Sequence, residues 1–174
     1  MSSYQRLKDW YALFVATGDE ENVKERVKYR FQDKLDIIVP KRKLKERKDG
    51  KWSVKIRTMF PGYVLLNGEI NTEDYYNMKG IPGIIKLLRN GESLLKIDRN
   101  EIEIINRLTY NDETIGYSNV LIENGHVMVV DGPLLSLEGY IVSINSRKGR
   151  ARVRLDFLGE ERTVELGVSI LQPV

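Results

Sequence analysis

Trp10-Tyr11-Ala12-Leu13-Phe14-Val15, followed by Thr17-Gly18-Asp19 and then by Glu20, Glu21, Val23, Val27 and Phe31, is the stretch on which the fold turns. The first six residues form an aromatic and branched apolar run, too short for a membrane span and closed by a turn signal, which predicts a strand buried on both faces. Behind it, Thr17 or Asp19 can cap a helix, and Glu20 and Glu21 suit the positive end of its dipole. Val23, Val27 and Phe31 recur at the i, i+4, i+8 spacing of a buried stripe, so a helix is expected over about 19–32.

Working outward, Asp36-Ile37-Ile38-Val39-Pro40 predicts a brief strand ended by proline. Lys51–Arg57 alternates, with Trp52, Val54 and Ile56 on one face and a basic opposite face. Residues 41–50, polar and ending in Asp-Gly, predict a hairpin loop rather than packed structure. Phe60-Pro61-Gly62 signals a turn into the strand Tyr63–Leu66. Thr72 can cap a short helix through Met78, Gly80-Ile81-Pro82-Gly83 breaks it, and Ile84–Leu88 is apolar again. Asp98 and Glu101 make another capping signal before Ile102, Ile105 and Leu108. This βαββαβα order predicts a ferredoxin-like split βαβ domain over residues 8–108.

Periodicity lapses over residues 109–123, which are expected to form a linker. From 124 to 174 only strand signals remain, at Val127–Val130, Gly139–Ile144, Arg152–Phe157 and Arg162–Leu166. Short strands in so small a module imply a small barrel, because closure removes edges that a marginal core cannot protect. The fold class is therefore α+β, an N-terminal split βαβ domain followed by a small all-β barrel.

Composition narrows the chemistry. The 174 residues carry 28 Lys+Arg against 25 Asp+Glu, a net charge of +3, and the hydrophobic share of 41% suffices for a core. With no cysteine, thiol catalysis and zinc-thiolate sites are excluded, and a cytoplasmic protein without membrane association is expected. No phosphate loop, dinucleotide fingerprint or nucleophile elbow occurs. His126 is the sole histidine and is read as an ordinary residue at a strand start. Capping and solvation account for the carboxylate groups at 19–21 and 160–161. Neither an enzyme nor a cofactor is expected.

What remains is basic and aromatic. Lys43, Lys45, Arg47 and Lys48 sit in a stretch whose only acids are Glu46 and Asp49, and can either track phosphates or keep a solvated loop polar. Arg147, Lys148, Arg150, Arg152 and Arg154 form a second cluster, the last three alternating along one strand face. Planar guanidinium forks there suit phosphate and purine-edge contacts, and an exposed strand face is the alternative. Tyr11, Phe60, Pro61 and Tyr63 either leave aromatic surface on one side of the sheet or pack in the core.

Trp10-Tyr11, Phe60-Pro61-Gly62-Tyr63-Val64, Gly80-Ile81-Pro82-Gly83, and the run Gly125 to Pro133 followed by Glu138-Gly139 together resemble the NusG family of transcription elongation factors, over nearly the whole chain. The last element resembles the KOW motif. The resemblance implies a monomeric factor whose N-terminal domain binds the clamp helices of RNA polymerase's largest subunit, with Tyr11, Phe60, Pro61 and Tyr63 at the contact, and a tethered SH3-like KOW barrel that recruits something else. Housekeeping members carry aromatic residues after the Asp-Gly-Pro turn to hold a ribosomal protein, whereas this chain has Leu134-Leu135-Ser136-Leu137. With its heavier basic clusters the chain resembles a specialised paralogue of the LoaP type, an antiterminator that binds a hairpin in nascent RNA. Arg147, Lys148, Arg150, Arg152, Lys43, Lys45, Arg47 and Lys48 are then the expected RNA contacts. Contact with non-template DNA stays open. The alternatives are a general NusG-type factor and a ribosomal-type KOW protein.

Overall fold

In the computed structural model, which describes residues 8–172, the chain divides into two compact units. The first comprises the residues up to Val39 together with Phe60–Asp98; the second comprises Pro40–Met59 together with the residues from Arg99 onward. The chain runs β1 (Trp10–Val15), α1 (Glu20–Phe31), β2 (Asp36–Ile38), β3 (Lys41–Lys48), β4 (Lys51–Thr58), β5 (Tyr63–Asn67), α2 (Thr72–Lys79) and β6 (Ile84–Leu87). A short hairpin of β7 (Arg89–Asn90) and β8 (Ser93–Leu94) ends the first unit. Then follow α3 (Arg99–Leu108), β9 (Thr114–Ile115), β10 (Ser118–Glu123), β11 (His126–Asp131), β12 (Ile141–Asn145), β13 (Arg150–Phe157) and β14 (Glu160–Ile170).

The first unit is the expected split βαβ. Its sheet has the order β2-β5-β1-β6 with every neighbouring pair antiparallel, so β1 and β2 run parallel with β5 inserted between them. Alternation along β1 sends Tyr11, Leu13 and Val15 into one core with Val64 and Leu66 of β5, Val23, Val27 and Phe31 of α1, and Met78 of α2. Helices of 12 and 8 residues are marginal alone, so it is this packing that holds α1 and α2. β1 is buried on both faces as expected, apart from half-buried Phe14. Two details of capping differ. Asn71, not Thr72, caps α2 in a reciprocal box with Asp74. At α1 the Asp19 side chain makes no cap bond; the buried Glu20 carboxylate instead accepts from the Gly18 and Gly62 amides, both at 2.9 Å.

The second unit redraws the expected boundaries. Residues 41–50, expected as a loop, form the whole of β3, which pairs with β4 from Lys41↔Thr58 to Lys48↔Lys51. Asp49 and Gly50, with φ of 52° and 76°, make the two-residue turn whose twist matches a hairpin, so the Asp-Gly signal placed the turn while strand began eight residues earlier. The stretch 109–123, expected as a linker, contains β9, which pairs parallel to β3, and β10, which sits inside the barrel sheet. That sheet has the order β11-β10-β14-β13-β12. Ala151, Val153, Leu155 and Phe157 alternate as the buried side of β13, and Leu134 and Leu137 after the Asp-Gly-Pro turn are also buried. Helix α3 belongs with this unit: Glu101 accepts from the amides of Leu158 and Gly159 at 3.0 and 3.1 Å, holding the β13–β14 turn.

Candidate functional site

In the first unit the structure separates the four residues expected at the polymerase contact. Tyr11 lies in the core, on the helix-bearing side of the sheet, and burial raises its phenol above its ordinary range. Phe60 is only 2% exposed. The expectation that these two rings form open surface is thus corrected: both are withdrawn from water, and at Tyr11 strand alternation is the reason. Pro61 is exposed and Tyr63 half-buried. Tyr63 pairs in register with Phe14, their ring centroids 5.6 Å apart and tilted by 55°. Lys86 is the register partner of Phe14 on the other side and places its Nζ 6.0 Å from that ring. The accessible feature is therefore a cross-strand row, Tyr63-Phe14-Lys86, an aromatic pair with a cation at its edge. Phe14 was hidden by its run, which reads as uniformly buried. At the β6 edge, between that strand and α2, a hollow of about 250 Å³ is lined by Tyr75, Met78, Ile84, Ile85 and Lys86 among others.

In the second unit the basic residues fall into two groups. Register puts Lys43, Lys45 and Arg47 opposite Ile56, Val54 and Trp52, so these six share one face of the β3–β4 hairpin, and all are exposed. Lys48 points to the opposite face, with Glu46, Arg57 and the buried Leu44. There Arg57 donates to both Glu46 oxygens at 2.7 and 2.8 Å, and those bonds hold the Glu46 carboxyl below the usual carboxylate range.

Three contacts seat β3 on the barrel. Arg42 Nη1 donates to the Glu165 carbonyl at 2.8 Å, and burial lowers its guanidinium pKa. Arg150 donates to the Glu165 carboxylate at 2.6 Å and to the Lys45 carbonyl at 3.0 Å. Gly167 lies so close that a Cβ there would sit 2.6 Å from the Lys43 carbonyl oxygen and 2.4 Å from the Tyr117 ring. Arg150, an expected RNA contact, is consequently a packing residue, its side chain 17% exposed. Arg152 stays exposed on the outer face of β13, opposite Glu165.

Arg147 and Lys148 are exposed in the β12–β13 turn. The turn is braced: Lys148 N donates to Asn145 Oδ1 at 3.0 Å, Gly149 N to the Asn145 carbonyl at 2.9 Å, and Val168 N to the Gly149 carbonyl at 3.0 Å. Arg147, Lys148, Lys45 and Trp52 line one cleft of about 670 Å³, together with Ser169 and Gln172. The structure thus brings together Lys45, Arg147 and Lys148 from the two expected clusters, while Lys48 and Arg150 serve elsewhere. Trp52, half-exposed at the same cleft, is the member that sequence reasoning did not single out as a site residue. Chemically the cleft offers positive charge on a braced turn, an aromatic face and hydrogen-bonding side chains.

The family model described as transcription termination factor nusG matches residues 8–106. The transcription termination/antitermination protein NusG of Thermus thermophilus is 28% identical over 176 residues, spanning 92% of this chain and 96% of that one. The protein of that name from Bacillus subtilis is 29% identical over 169 residues, spanning 91% and 94%. A solved structure described as domain interaction in Thermotoga maritima NusG superposes with a TM-score of 0.61 at 23% identity, covering 92% of this chain and 93% of that one, a likeness of fold. Among the described residues no helix is long and apolar enough to cross a membrane.

Proposed function

The chain belongs to the NusG family of transcription termination/antitermination factors, and from that premise we propose that its first unit grips elongating RNA polymerase while its second binds a structured nascent RNA. The observation that carries the RNA reading is the convergence of Lys45, Arg147 and Lys148 on one braced cleft, from segments about a hundred residues apart in the chain. Cations carried on a braced turn and a paired strand keep their backbone spacing, so they can follow a phosphate track. The polymerase reading is supported by the half-open Tyr63-Phe14 pair with Pro61 exposed beside it, since aromatic anchors at a polar rim are what helical partners seat upon. The clamp helices are the partner assigned to this row. The factor acts without chemistry of its own: preferential affinity for the elongating polymerase shifts its population away from paused states, and RNA contact raises the factor's local concentration beside its target.

The test is RNA affinity of the full chain at several salt concentrations. The triple variant Lys45→Ala/Arg147→Ala/Lys148→Ala should lose affinity for a structured RNA and flatten the logarithmic salt dependence by about two to three units, one for each phosphate contact removed. A parent and a triple variant with equal affinity and equal slope would sink the RNA role. A general elongation role is the second reading, favoured by full-length similarity to the Bacillus and Thermus proteins, and would leave polymerase binding intact in that outcome.

A further inference from the structure

We propose that the cleft of the second unit is a pocket for a single unpaired RNA nucleotide, its base stacked on Trp52 and its flanking phosphates held by Arg147 and Lys148. This rests on the RNA reading above and specifies what part of an RNA the site takes.

Size comes first. A space of about 670 Å³ lies within the ~300–1,000 Å³ typical of small-ligand sites, room for a base and its sugar but not for a duplex to enter. Second is the aromatic. Trp52 is 47% exposed, and among the described residues its ring has no aromatic partner, so folding makes little use of it. The flanking Val54 and Ile56 on the same strand face are exposed as well, which keeps that face of the hairpin open for contact. Third is the placement of charge. Lys45 lies at the cleft with its Nζ 5.8 Å from the Tyr117 ring, and Arg147 and Lys148 stand on a turn fixed by Asn145. Ser169 and Gln172 line the same space and offer donors and acceptors to a base edge or a ribose hydroxyl.

The combination selects among nucleic-acid shapes. Cations alone would hold any polyanion. A paired A-form stem presents phosphates outward but keeps the faces of its bases stacked on one another, so a tryptophan in a concavity gains nothing from it. Only a base turned out of the stack, at a bulge or loop, can lay its face on the indole while its phosphates stay at the rim. Trp52 then supplies discrimination between unpaired and paired RNA, and the rim supplies affinity and salt dependence.

The experiment uses the full chain and two synthetic RNA hairpins that differ only in one bulged adenosine, with a deoxy version of the bulged hairpin as a third probe. The parent should prefer the bulged RNA. Trp52→Ala should weaken binding of the bulged RNA by roughly tenfold or more, leave the fully paired hairpin unchanged and keep the salt slope; Trp52→Phe should retain most of the preference. Circular dichroism and a thermal melt of both variants report whether the hairpin still folds. Loss of preference with an unchanged melt supports the pocket. Equal weakening on both RNAs, or none on either, overturns it, and a deoxy hairpin bound as tightly as the RNA would overturn its restriction to RNA. Should the parent bind no RNA at all, it is the RNA reading itself that fails; a parent that binds but shows no Trp52-dependent preference defeats the pocket alone.

Discussion

Glu20 is the residue whose removal should be felt most at the first unit's open face. Its carboxylate is 4% exposed and accepts from two backbone amides, Gly18 and Gly62, each at 2.9 Å. In Glu20→Ala both donors lose their acceptor. The Gly62 amide is buried and carries the full desolvation cost of an unmet donor, about 1–3 kcal/mol, while the less buried Gly18 amide recovers part of its loss from water. Together the variant should lose about 2–4 kcal/mol, a large share of the stability of a small unit. Glu20→Gln keeps one accepting oxygen but turns an NH2 group toward the second donor, so its loss should be intermediate. Urea unfolding gives the stability, and hydrogen exchange gives the location: the Gly62 amide should exchange about tenfold faster or more in Glu20→Ala. Because Gly62 leads directly into Tyr63, the same variant should weaken polymerase binding through a loosened Tyr63-Phe14 pair. An alanine variant within about 0.5 kcal/mol of the parent, with Gly62 exchange unchanged, would show that the carboxylate is not what fixes this turn.

Other consequences concern single contacts. Phe60→Ala should cost about 3–5 kcal/mol in a denaturant titration because it empties a buried site, whereas Tyr63→Ala, half-exposed, should cost less stability and more polymerase affinity; the reverse ranking would return Phe60 to the interface. Gly167→Ala should destabilise the second unit and abolish RNA preference together, since the new Cβ meets the Lys43 carbonyl, and an intact melt with intact RNA binding would mean that β3 yields without consequence. Glu46 titrates below its ordinary range because Arg57 donates to it, so its folded pKa lies under its unfolded one. The contribution of that pair is therefore present above the unfolded carboxylate pKa and is lost as pH falls through the folded value; a carbon-13 titration of Glu46 should show a lowered midpoint that Arg57→Ala restores.

Legibility in the sequence followed the range of the forces involved. The split βαβ was legible because the short apolar run Trp10–Val15 and the Val23-Val27-Phe31 stripe are local signals. β10 was not, because polar turn formers at 109–119 mask the short Val120-Leu121-Ile122 run. Asn124 and Gly125, with φ of 50° and 77°, close a local hairpin that pairs Asn119–Glu123 with β11, and only the parallel pairing Ser118↔Val168 with β14 is long-range. β3 was missed for a related reason: lysine and arginine dominate Lys41–Lys48, and strand preference there comes from pairing with β4 and seating on β14, not from the residues themselves. Alternation placed Arg150, Arg152 and Arg154 on one face of β13 correctly. It could not show that Arg150 would be spent on Glu165 of the neighbouring strand β14 and on the Lys45 carbonyl, which a strand about a hundred residues away supplies. Likewise the aromatic run at 10–15 foretold two buried faces but not that Phe14, rather than Tyr11, would be the ring left half-open beside Tyr63.

Crosslinking in cells followed by sequencing of the bound RNA tests most directly whether the factor rides on polymerase and is recruited by structured nascent RNA. Reads should concentrate on a leader segment that folds into a hairpin with an unpaired nucleotide, vanish in the Lys45→Ala/Arg147→Ala/Lys148→Ala variant, and be accompanied by co-purifying polymerase in both parent and variant. Reads scattered over transcripts in proportion to their abundance, or confined to ribosomal RNA without polymerase, would contradict that recruitment.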